Sequence, residues 1–192
     1  MSRASLTWWA GLSLACAPAV SVPLRHLAGA LGANPVEKVL NLTGWWALFF
    51  LILSLVPTPL KALLGWLWPM RLRRMLGVAS FMYALCHALL YLVVDQELDL
   101  DEVIKDVTTR GFQAVGMLAF LLLTPLAVTS TAGWVRRLTY PRWKALHRLT
   151  YLASALAVVH FMLRVKADLM VPGAFALCWA VLMAVRLIPA RR

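Results

Sequence analysis

In a chain of 192 residues, 62% are hydrophobic and the mean hydropathy is +0.77, well beyond the roughly 45–50% apolar content of soluble domains, so an ordinary soluble fold is excluded. Eight acidic residues stand against nineteen Lys and Arg, a formal net charge of +11; these basic residues lie in short clusters between apolar runs, as in cytoplasmic loops, so nucleic acid is excluded as a partner. Cys16, Cys86 and Cys178 each lie singly within an apolar run, so neither a disulfide framework nor a zinc site follows, and small buried hydrophobes are expected.

Crossing the hydrocarbon core of a bilayer takes roughly 20 apolar residues of helix. The first such run, near 6–25, follows a single basic residue, Arg3. More apolar runs follow it, so it is expected to be a retained membrane helix rather than a cleaved leader. His26, beside Arg25, stands at its outward end as an interfacial residue. The second run, near 40–60, is expected to stop or bend at Pro57 and Pro59. The third, near 75–94, follows Arg71, Arg73 and Arg74 and carries His87 in SFMYALCHALLYLVV. The acidic connection from Asp95 to Asp106 reads as a short amphipathic helix or a solvated hairpin, and as a candidate docking surface for an outer partner. The fourth run, near 112–130, contains Pro125 as a candidate kink. The fifth, near 145–163, carries His147 at its start and His160 toward its end, and the sixth lies near 169–188. Trp8, Trp9, Trp45, Trp46, Trp66, Trp68, Trp134 and Trp143 fall near run ends, where an indole suits the headgroup zone. No repeat stands out. The fold class is all-α: a polytopic membrane helical bundle of six transmembrane helices, a single domain over 1–192.

The connections set the orientation. Thirteen of the nineteen basic residues fall on one side, including the Arg71–Arg74 cluster, the stretch from Arg136 to Arg148 and Arg186, Arg191 and Arg192. All eight acidic residues fall on the other. The positive-inside rule then places both termini in the cytoplasm, and an even number of spans agrees in putting them on one side.

Ionisable side chains within a membrane are costly and by default functional. His87 and His160 are expected at similar depth on neighbouring helices, where two imidazoles can clamp one haem iron. His147 marks a second depth, because thirteen residues of helix rise about 19.5 Å. Each of the three reads either as an iron ligand or as a hydrogen-bonded core histidine. Thirteen positions also rotate by about 220°, so His147 and His160 share a face only if a π-bulge or an end effect intervenes near His147.

The motifs RRMLGVASFMYALCHALLYL, with TGWWAL before and LTYPRWKALHRLTYLASALAVVH after, resemble the ferric reductase-like transmembrane domain. Within it, the chain is most similar to the haem-binding membrane subunits of bacterial periplasmic methionine sulfoxide reductase systems. The resemblance implies an inner-membrane b-type cytochrome that is an electron-transfer subunit rather than the catalytic one, with one haem b or two, and FMN. It implies electrons taken from the quinone pool or a cytoplasmic flavin reductase. They pass to a periplasmic molybdopterin-containing subunit that reduces methionine sulfoxide in envelope proteins. His87 and His160 match the outer haem ligands and His147 the inner one. The broader family has a fourth histidine thirteen residues before His87, where this chain has Arg74. Arginine is a poor iron ligand, so the inner site is expected to hold a haem with an unusual ligand, a flavin or a quinone. Arg74 is then either a partner for a propionate or phosphate or a topology charge. Tyr91 and Arg164, one turn beyond His87 and His160, read as interfacial anchors or as groups at the haem edge. A transporter with a histidine proton relay and a scaffold for a soluble partner are the competing classes. The first lacks an inverted repeat; the second leaves the membrane histidines unexplained.

Overall fold

The computed structural model describes residues 3–29 and 31–187; the side chains of residues 3–10, 14, 23 and 26, and so the imidazole of His26 and the indoles of Trp8 and Trp9, lie outside the described set. Every regular element among the described residues is helical: α1 (Arg3–Leu27), α2 (Pro35–Leu55), α3 (Pro57–Leu64), α4 (Arg73–Leu89), α5 (Leu100–Thr109), α6 (Gly111–Val128), α7 (Ala132–Leu138), α8 (Tyr140–Leu146), α9 (Leu149–Arg164) and α10 (Met170–Leu187). Five segments are long and apolar enough to cross a bilayer: Pro35–Leu64, Arg73–Asp95, Gly111–Val128, Tyr140–Arg164 and Met170–Leu187. The expected first span is represented by α1, which carries a shorter apolar stretch, Gly11–Val22. The chain forms two compact units, Met1–Leu98 and Asp99–Arg192.

The core of the first unit is the α2–α4 pair. Asn34 caps α2, its side chain accepting from the Glu37 amide at 3.1 Å. Pro35 follows at the start, where its missing N–H costs nothing, and the Glu37 carboxylate complements the helix dipole. Helix α2 ends at Leu55, two residues before Pro57, and α3 begins at that proline, which suits a first helical position. Gly65, at φ +69, then closes α3 in the left-handed conformation that a residue with a Cβ resists. Small side chains bring α2 and α4 together: Ser80 is fully buried and donates its hydroxyl to the Ala47 carbonyl at 2.8 Å. Tyr83 stacks on Phe50, centroids 5.5 Å apart. Its hydroxyl reaches α1, donating to the Ala15 carbonyl at 2.8 Å and accepting from the Ala19 amide at 3.0 Å. Beyond Leu89 the helix widens into a π segment, Leu90–Asp95.

In the second unit the acidic connection does form a short helix. Asp99 caps α5 by accepting from the Asp101 and Glu102 amides, and Val103 and Asp106 are buried. Asp106 pairs with Arg110 at 3.2 Å. The α6–α9 pair forms the core, and α9 meets α10 through the Trp179 indole, which donates to the buried Ser154 hydroxyl at 2.9 Å. Pro125 lies within α6, where it offers no N–H to the preceding turn. At the end of that helix Thr129 and Ser130 donate to the Pro125 and Leu126 carbonyls.

Two expectations need correction. Trp45 and Trp46 do not sit at a helix end but midway along α2, in an aromatic cluster with Phe49 and Phe50. The helix begins at Pro35, before the apolar run from which its start was read. The three cysteines are exposed rather than buried. On a helix solvated by lipid the outer face is as apolar as the inner one, so hydropathy does not tell which side a small apolar residue occupies.

Candidate functional site

His87, on α4, turns toward α2. Its Nδ1–H donates to the carbonyl of Leu40 at 2.9 Å, and its ring lies over Gly44, where an added Cβ would stand 3.0 Å from Cε1. His160, on α9, is built the same way against α6. Its Nδ1–H donates to the carbonyl of Phe112 at 2.7 Å, and its ring lies over Gly116, where a Cβ would stand 2.5 Å from Nδ1. In each unit the accepting carbonyl belongs to the residue four before the glycine. The bonds span 47 and 48 residues. A glycine within an apolar helix therefore receives the imidazole of a later helix twice in this chain, in two separate units.

The chemistry of the two rings follows. A carbonyl only accepts, so the proton sits on Nδ1 and the lone pair of the neutral ring on Nε2. This is how protein fixes a metal-binding imidazole: the second nitrogen donates to a carbonyl, which orients the ring and raises its basicity. Phe112 also flanks His160, its ring centroid 6.0 Å away.

His147 is placed differently. It ends α8 and stacks on Trp143 at 4.0 Å, and its Nδ1–H donates to the Trp143 carbonyl of its own turn at 3.1 Å. Trp143 is itself tied to the Thr129 carbonyl through its indole N–H at 3.0 Å. The regular helix is interrupted at His147 and Arg148 before α9 begins at Leu149. That interruption lies where an end effect would be needed for His147 and His160 to share a face.

Arg74 is exposed in the first turn of α4. It lines a cleft of about 840 Å³ within the first unit whose other walls are mostly apolar, including Leu12, Met75, Val78 and Met82, with Arg71 as the second cation. Tyr91 falls in the π segment and Arg164 closes α9. Sequence reasoning missed Gly44 and Gly116. Their signal was present as isolated glycines in otherwise apolar helical runs, which mark close approach, followed at nearly equal distance by a histidine. Among the described residues no three of His, Cys, Asp or Glu gather into a metal site.

The family described as ferric reductase like transmembrane component matches residues 43–158. The match includes Gly44, His87, Gly116 and His147 and spans parts of both units. Curated relatives extend it to nearly the whole chain. A protein of Rhodospirillum rubrum is 50% identical over 175 residues, covering 91% of this chain and 84% of its own length. One from Herminiimonas arsenicoxydans is 47% identical over 165 residues, 85% of this chain and 76% of its own. A third, from Caulobacter vibrioides, is 42% identical over 180 residues, 93% of this chain and 86% of its own. Each of the three is named protein-methionine-sulfoxide reductase heme-binding subunit MsrQ. The chain belongs to the ferric reductase-like transmembrane family. Within that family its relatives place it in the MsrQ group.

Proposed function

We propose that this chain is the haem-binding membrane subunit of a protein-methionine-sulfoxide reductase. It takes electrons from the quinone pool or a cytoplasmic flavin reductase and passes them to a periplasmic molybdopterin-containing subunit. The observation that carries the proposal is the duplicated construction of His87 and His160, each with Nδ1 engaged by a helix carbonyl and its ring over a glycine. The names of relatives covering most of the chain support it. Bound haem b supplies a one-electron carrier between donor and acceptor. His87 and His160 would hold an outer haem through their imidazoles, and the two carbonyls would keep them in the tautomer that can ligate iron. His147, whose Nδ1 is likewise engaged, would hold an inner site for a second haem, a flavin or a quinone, and Arg74 would offer its guanidinium to a propionate or phosphate.

The chain acts as a single inner-membrane domain with six spans, α1 being the first, and both termini in the cytoplasm. Clustering of the basic residues on one side supports that orientation. FMN and the molybdopterin partner enter through the resemblance alone. Purified protein from haem-replete cells is expected to be red, with a Soret band and sharp α and β bands on reduction. A colourless preparation would overturn the proposal and leave a transporter or scaffold.

A further inference from the structure

We propose that Gly44 and Gly116 are positioning residues for the two axial imidazoles, and that Gly116 is the less replaceable of the pair. The proposal rests on the ligand reading of His87 and His160 and adds what holds those rings in place. Glycine lowers the stability of a helix interior, so its presence within α2 and α6 asks for a local reason. Both glycines have one. A Cβ at position 116 would lie 2.5 Å from Nδ1, 2.7 Å from Cε1 and 3.2 Å from Cγ of His160. At position 44 it would lie 3.0 Å from Cε1, 3.1 Å from Nδ1 and 3.6 Å from Nε2 of His87. Gly77 and Gly173 are also helical and would meet nothing within 4 Å, so close approach to an imidazole is a property of these two positions and not of helical glycine in this chain.

The rings have little freedom to step aside. Each is tied through Nδ1 to the carbonyl one turn before its glycine, at 2.7 Å for His160 and 2.9 Å for His87. A methyl group at 116 stands against the nitrogen that makes that bond, so the ring must rotate or retreat and the bond must lengthen. At 44 a shift of a few tenths of an ångström suffices. Losing the Nδ1 bond makes the imidazole a weaker donor to iron. The oxidised, more electron-poor iron loses most by this, so the reduction potential rises.

The test uses the haem-loaded full chain in detergent, carrying Gly116→Ala, Gly44→Ala, and Gly77→Ala and Gly173→Ala as controls. Haem per polypeptide, the low-spin ferric EPR g-values and the midpoint potential are read. Gly116→Ala is expected to lose most of its outer haem, the remaining fraction showing shifted g-values and a raised potential. Gly44→Ala should keep its haem with a smaller change of the same sign, and the controls should match the wild type. To separate positioning from folding, Gly116→Ala is also made in a His160→Ala background. With no imidazole to strike, the added methyl should not lower the thermal midpoint of that background. Wild-type haem content, g-values and potential in Gly116→Ala would overturn the proposal, as would an equal loss of thermal stability with and without the imidazole. An outer low-spin haem signal retained by His87→Ala and His160→Ala themselves would instead overturn the ligand reading beneath it.

Discussion

His87 and His160 resemble each other more than their sequence surroundings suggest, because what they share is a backbone carbonyl and a missing side chain. The expected consequence is that His87→Ala and His160→Ala each abolish the outer low-spin haem signal, whereas His26→Ala leaves it intact. Reduced-minus-oxidised spectra of the three variants check this, and an undisturbed α band in His160→Ala would refute the assignment. His147 engages a carbonyl of its own turn and leans on Trp143 rather than on a neighbouring helix. Replacing it by Ala should halve the pyridine haemochrome per polypeptide while the outer signal persists. An unchanged haem count would mean that the inner site takes something other than haem.

At the scale of elements, helices are joined by few but well-defined polar contacts between small residues. Ser154 accepts the Trp179 indole N–H and joins α9 to α10. Ser154→Ala is expected to cost roughly 0.6 kcal/mol, the usual worth of a hydrogen bond between membrane helices. Trp179→Phe should remove the same bond, and the double variant should show less than the sum of the two losses in thermal unfolding. Outside the spans, α5 depends on its cap. Asp99→Ala should lower its stability by about 1 kcal/mol and speed amide exchange over Leu100–Thr109 with the haem spectrum unmoved. Within α5, Glu102 lies 2.8 Å from the Lys105 ammonium, and that hydrogen bond raises the lysine above its ordinary pKa. A raised pKa means that the pair's small contribution is complete at neutral pH and fades only as pH rises through the alkaline range.

For the whole molecule the open question is topology, and charge carries the expectation. Alkaline phosphatase fused within the acidic connection near Asp101 should be active, and fused after Arg137 inactive, since that enzyme matures only outside the cytoplasm. The reverse pattern would invert the orientation. The same arrangement predicts that the reduced chain is reoxidised by a periplasmic acceptor added to right-side-out vesicles and not to inverted ones.

Composition alone established a membrane protein, because hydropathy sums over residues and is indifferent to how they pack. The prolines at 57 and 59 and the histidines were likewise legible, since each acts within a turn or stands out as a polar group in an apolar run. What the sequence could not show was which carbonyl and which glycine each imidazole meets, since those contacts cross 47 and 48 residues. Nor could it show that Trp45 and Trp46 lie in the middle of α2, or that the cysteines are exposed. In lipid both faces of a helix are apolar, so periodicity no longer marks the inside. Only the packing of one backbone against another decides which residues touch.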